Sequence, residues 1–129
     1  MKKKFLLWGL IYGLLAVIIG AFGTHALKSI LSAEQQAGFE TGIRYQFYHA
    51  LLLIILSNIP KIQSRLILYA LSLGIFLFSF SIYLLMLRFY LNMDFLKFLG
   101  PITPIGGSLL IFSWILLIIK TVQLKLNSD

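Results

Sequence analysis

The sequence predicts an all-α membrane protein: a transmembrane four-helix antiparallel bundle with both termini cytoplasmic. Three observations carry that expectation. Four uncharged apolar stretches, 5–24, 45–60, 66–87 and 102–119, fill most of a 129-residue chain. Each approaches or exceeds the roughly 18–20 residues a helix needs to cross about 30 Å of hydrocarbon. Hydrophobic residues make up 60% of the chain and charged residues only 12%, against about 25% charged in soluble domains, so too little polar sequence remains for a soluble domain. Charge placement then gives the orientation. Lys2, Lys3, Lys4, Lys61, Arg65, Lys120 and Lys125 fall on one side, and Lys28, Arg44, Arg88 and Lys97 on the other, with Glu34, Glu40 and Asp94. The more basic side is expected to be cytoplasmic.

The net charge of +7 would point toward nucleic acid in a soluble protein. Here the lysines flank apolar spans, so no nucleic-acid partner is expected and the lipid bilayer is the principal one. No cysteine is present, which excludes disulfides, thiolate chemistry and Cys-based zinc sites. The expected organisation is a single integral membrane domain over 1–129, multi-pass, with helices about 5–25, 42–60, 66–88 and 102–120.

The first span follows three lysines and resembles a signal peptide, with Thr24-His25-Ala26 as a cleavage-like site. It is longer than the roughly 7–15 apolar residues of a secretory h-region, so it is expected to stay in place. Gly9, Gly13, Ala16, Gly20 and Gly23 recur at spacings of four and three. They form one stripe that lets another helix approach closely, which is what drives association in lipid. The seam also allows a homo-oligomer.

Ser32-Ala33-Glu34-Gln35 fits a capping box and predicts an interfacial helix start at about 33–41. The helix then runs on toward Pro60, where the missing N–H suits its end. The third span has a shorter stripe of Ala70, Gly74 and Ser81. Residues 88–100 mix aromatic and charged groups, as an interfacial loop does. The fourth helix opens at Pro101, with Thr103 expected as N-cap and Pro104 at the first helical position. Gly106 and Gly107 follow as packing positions.

Depth arithmetic groups the polar side chains. At 1.5 Å per residue from a boundary near Thr41, Arg44 lies about 4–5 Å and His49 about 12 Å inside. Ser81, Ser79, Tyr83 and Ser108 come out at roughly 10, 13, 7 and 9 Å. Tyr45 lies one turn before His49 and Tyr48 directly before it, and His25 sits at the boundary of the first span. These nine residues form a candidate polar layer in the outer leaflet. Intramembrane ionisable groups are functional candidates by default. The structural alternative for His49 is a neutral imidazole bonded to Ser79, Ser81 or a tyrosine hydroxyl. For Arg44 it is an ion pair with Glu40, and for His25 it is capping of the first helix.

No cofactor is expected. The histidines sit about 12 Å apart in depth, too far for one haem iron. The acids lie in the loops, away from any zinc-like cluster, and no serine stands in a nucleophile-elbow pattern.

Four segments together carry a resemblance: Gly20-Ala21-Phe22-Gly23-Thr24-His25-Ala26-Leu27, Tyr45-Gln46-Phe47-Tyr48-His49-Ala50-Leu51, Phe78-Ser79-Phe80-Ser81-Ile82-Tyr83-Leu84 and Thr103-Pro104-Ile105-Gly106-Gly107. Their order and spacing resemble the signature of the YgdD-like family of small bacterial inner-membrane proteins. The chain departs from that pattern at Thr24, where alanine is usual, and at Phe80, where glycine is common. The resemblance implies a four-span protein of the bacterial inner (plasma) membrane with unassigned activity. It supplies no catalytic residues. The expected function is non-enzymatic, with the polar layer fixing the bundle. The alternative is a small carrier or binder of a lipid, a quinone-like molecule or a proton, built around His49, Arg44, Tyr45, Tyr48 and Ser81, its ligand unknown.

Overall fold

A computed structural model describes the backbone of residues 1–126 and the side chains through Leu124, so the Lys125 side chain and 127–129 lie outside the described residues. Among the described residues every regular element is helical. Helix α1 runs Lys2–Leu27, α2 Ala33–Ser57, α3 Arg65–Leu87 and α4 Ile102–Leu126. A π-helical turn interrupts α1 at Ile19–Gly23 and another interrupts α3 at Phe76–Phe80. Three helical segments are long and apolar enough to cross a membrane: Lys2–Leu27, Arg65–Leu87 and Asp94–Leu124. Helix α2 is not among them, because Glu40, Arg44, Gln46 and His49 interrupt its apolar run.

The small-residue stripe of α1 is consumed within the chain. A Cβ added at Gly9 would lie 2.7 Å from Ile54 Cγ1 and 2.9 Å from the Ala50 carbonyl oxygen. Gly13 faces Ala50, Gly20 faces Ile43, and Gly23 faces the Phe39 ring. Ala16, between them, is buried. Numbers fall on α2 as they rise on α1, so the two chains run in opposite directions along the seam. Close backbone approach of this kind replaces the hydrophobic gain that is missing in lipid.

Helices α3 and α4 are closer still. A Cβ at Gly106 would overlap the backbone of Leu77 and Phe78, while Gly74 faces Leu110 at 2.8 Å. Gly107 meets only the Phe78 ring, at ordinary contact distance. Phe80, where glycine would have allowed a closer approach, is half-buried against Phe76 and Tyr83.

The ends of the elements follow from local chemistry. Ser32 Oγ accepts the Gln35 N–H at 3.2 Å, and Gln35 Oε1 accepts the Ser32 N–H at 2.9 Å, closing the capping box. The α1 end differs from the expectation. His25 is exposed, and Gln36 of α2 supplies the bonds there, donating to the carbonyls of Lys28 and Leu31. A long amide in the first turn of the next helix reaches both orphan carbonyls, whereas the imidazole points outward. Helix α2 stops at Ser57, before Pro60, because the residue preceding a proline is pushed out of helical geometry. Ile59 has φ −118° and ψ 75°. Gln63 then donates to the carbonyls of Leu56 and Ser57, and Ser64 caps α3 through the Ile67 N–H. At α4 the helix begins at Ile102, so Thr103 lies inside the first turn instead of capping it.

Overpacking a tight contact costs about 1–3 kcal/mol. Gly106→Ala is therefore expected to lower the stability of the detergent-solubilised protein by that amount or more, and Gly107→Ala by well under about 1 kcal/mol. Thermal melts of the two variants beside the parent check the difference.

Candidate functional site

The polar centre of the molecule is a residue the depth argument passed over. Gln46 of α2 is wholly buried. Its Nε2 donates to the Tyr12 carbonyl of α1 at 2.9 Å, and its Oε1 accepts the Tyr83 hydroxyl of α3 at 2.8 Å. Tyr12 in turn donates its hydroxyl to the Ser72 carbonyl of α3 at 2.8 Å. Three helices are thus tied through one amide. The arrangement needs Gly42: a Cβ there would lie 2.7 Å from Cε1 of Tyr83, so only glycine lets that ring lie close enough on α2 to reach Gln46. The Gly42 carbonyl also accepts the Ser79 hydroxyl, at 2.8 Å.

His49 lies one turn further along α2 and is 6% exposed. Its Nδ1 is 2.7 Å from the Tyr45 carbonyl, and its Nε2 is 3.1 Å from Trp114 Nε1 of α4. A carbonyl only accepts and an indole N–H only donates. Nδ1 therefore carries the proton, and Nε2 accepts. The partners are a tryptophan and a backbone carbonyl, not the serines or tyrosine hydroxyls expected from the sequence. Tyr45 stacks beside the imidazole and packs on Phe78 at 4.9 Å between ring centroids, but it is 45% exposed.

Ser81 and Thr103 join α3 to α4 through their hydroxyls at 2.6 Å. The other candidates stand apart. Tyr48 is 59% exposed, and His25, Arg44 and Ser108 are also exposed. Ser108 bonds only to its own helix, at the Pro104 carbonyl. Among the described residues the one ion pair is Asp94–Lys97, so Glu40 and Arg44 do not form the expected bridge. The structure thus brings together His49, Ser79, Ser81 and Tyr83, leaves Tyr45 half in, and leaves out His25, Arg44, Tyr48 and Ser108. Four residues belong with the cluster that the sequence did not single out as site residues: Tyr12, Gln46, Thr103 and Trp114. Gln46 was open to discovery, since the same arithmetic puts it about 7–8 Å inside α2, level with Tyr83.

Chemically the cluster is closed. Among the described residues no group of three or more His, Asp or Glu side chains is placed to hold a metal ion. Apart from the Ser72 hydroxyl and Arg88 Nε, the buried side-chain polar atoms have partners. With both ends of the Gln46 amide and both His49 ring nitrogens engaged, the set fixes helix register more readily than it binds a guest.

The same helices identify the lineage. Residues 19–107, which contain Gly42, Gln46, His49 and the Ser79–Tyr83 turn, match the family described as "Protein of unknown function (DUF423)". The chain belongs to that family. It is 39% identical over 122 residues to the UPF0382 membrane protein SH2409 of Staphylococcus haemolyticus, covering 92% of this chain and 95% of that one. It is 36% identical over 129 residues to the UPF0382 membrane protein YwdK of Bacillus subtilis, covering 94% and 98%. No solved structure matches. Tyr12 and Trp114, the outer partners of Gln46 and His49, lie beyond the segment matched by the family.

A double-mutant cycle on Gln46→Leu and Tyr83→Phe is expected to give a coupling of about 0.6–2 kcal/mol, the range for interhelical hydrogen bonds in membranes. Reversible unfolding in detergent micelles measures it. A coupling of zero would mean that the two side chains do not meet.

Proposed function

We propose that this protein is a non-enzymatic, four-span antiparallel bundle of the bacterial inner membrane, termini cytoplasmic, whose buried polar cluster holds the helices in register. The observation that carries this reading is the closure of the cluster. Gln46 has both ends of its amide engaged by neighbouring helices, and His49 has both ring nitrogens engaged. A residue that handled a proton or ligand would need a free lone pair or N–H facing a cavity, and His49 has neither without breaking the Trp114 bond. The carrier reading built on His49 therefore has less support than the structural one. The basic residues at the ends of α1, α3 and α4 support the orientation, and the YgdD-like signature supports the inner-membrane location. The glycine seam packs against α2 of the same chain, so any homo-oligomer would have to use the outer faces of the helices.

Glutamine can accept from Trp114 and donate to a carbonyl, but it cannot titrate. His49→Gln is accordingly expected to keep the parent's melting temperature within a few degrees and to support growth like the parent gene. Native mass spectrometry of protein released from lipid nanodiscs is the companion test. Any non-protein mass retained by the parent should survive unchanged in His49→Ala. Loss of a bound mass in that variant, or a folded His49→Gln that fails in cells, would overturn the reading in favour of a binder or carrier.

A further inference from the structure

An apolar groove opens beside the polar cluster, with Tyr12 common to both. Helix α1 packs along α2 and makes no extended backbone contact with α3, although the two run side by side in the same direction. Between them is a groove of about 510 Å³, walled by Trp8, Tyr12 and Leu15 on one side and by Tyr69, Leu73 and Phe76 on the other. The Tyr12–Ser72 hydrogen bond crosses it. Trp8, Tyr69, Leu73 and Phe76 are all exposed, so the groove opens sideways toward lipid.

At the N-terminal ends of both helices, Tyr69 is shared with a second, smaller depression of about 110 Å³ whose charged walls are Lys4 and Arg65. Among the described residues neither cation is paired with a carboxylate. Helices α1 and α3 both begin there, and the first residues of α1 have no side-chain cap. Two lone cations and the uncapped N-terminus of α1 thus converge on one notch, a site for negative charge. From this notch the groove continues along α1 to Leu15 and along α3 to Phe80, about 16 Å and 22 Å at 1.5 Å per residue. One leaflet of hydrocarbon is about 15 Å deep.

We propose that this composite feature is a binding site for one anionic glycerophospholipid, its phosphate held by Lys4 and Arg65 and one acyl chain lying in the groove between α1 and α3. The charge of the notch selects the headgroup, since basic pockets between transmembrane helices retain anionic lipids. The apolar walls and length of the groove suit a single chain from the adjoining leaflet. The site rests on the reading of α1 and α3 as membrane spans; it shares Tyr12 with the polar cluster but uses neither Gln46 nor His49.

The test is native mass spectrometry of the full chain released from nanodiscs of equal parts phosphatidylglycerol and phosphatidylcholine. The parent should retain one phosphatidylglycerol with about tenfold preference, as two basic contacts allow. Lys4→Gln/Arg65→Gln should lose most of that preference. Lys2→Gln/Lys3→Gln, equal in charge but outside the notch, should keep it. Leu73→Trp, which fills the groove at a lipid-facing position, should reduce retention of both lipids. No preference in the parent, or equal loss in the two charge variants, would overturn the site in favour of diffuse attraction. If the notch variant loses its helix content, the share of tryptophan quenching in the parent that disappears in Trp8→Phe decides with both cations and Trp114 intact. Brominated phosphatidylglycerol enriched beside Trp8 above its bulk fraction supports the site, and quenching at the bulk fraction overturns it. Failure of the chain to enter nanodiscs at all would overturn the spanning reading as well, whereas insertion without headgroup preference overturns only the lipid site.

Discussion

How closely two backbones can come sets everything else in this protein. In hydrocarbon another leucine against a leucine gains little over a lipid tail, so association depends on dispersion between surfaces that fit and on hydrogen bonds that replace none to water. Gly9 against Ala50 and Ile54, and Gly106 against the backbone of Phe78, are the two glycine contacts in which a neighbouring helix's backbone stands within 3.0 Å of an added Cβ. Both pairs leave no room for a methyl group. Once α1 is seated on α2 and α3 on α4, the remaining freedom is rotation and sliding of one pair against the other.

Hydrogen bonds remove that freedom. Gln46 joins α2 to α1 and α3, Ser79 joins α3 to α2, Ser81 joins α3 to α4, and Trp114 joins α4 to α2. Each of these bonds starts from a side chain on one helix and ends on a carbonyl or side chain of another. Each is individually small, and a shift of one residue in register would break several together. Gly42 shows the two devices cooperating: its lack of a side chain admits the Tyr83 ring, and its carbonyl receives Ser79.

The sequence made the class legible, because uncharged apolar runs of this length are what a helix needs to cross hydrocarbon and more than a soluble core helix uses. The small-residue stripe of α1 was legible too, since a spacing of four and three leaves one face open. The polar cluster was only partly so. Depth along a helix placed His49, Ser79, Ser81 and Tyr83 at similar levels, but depth carries no azimuth, so Tyr48, Arg44 and Ser108 were grouped with them while pointing outward. Gln46 was hidden inside a motif read for its aromatic and imidazole groups. Trp114 stands in the apolar run of the fourth span, and nothing beside it in sequence marks its bond to His49. The π turns had no mark in the sequence beyond the glycines of the first.

Those π turns make chain length locally negotiable. A π turn accommodates one residue more than an α-helix of the same rise, and it does so without rotating the helix on either side. Elsewhere in α3 the loss of a single residue would swing every following side chain by about 100° and take Tyr83 away from Gln46. Within Phe76–Phe80 the same loss would tighten the turn to α-helix and leave Ser81 and Tyr83 on the faces they now occupy. Each turn is thus a place where one residue can be lost while the helix beyond it keeps its faces.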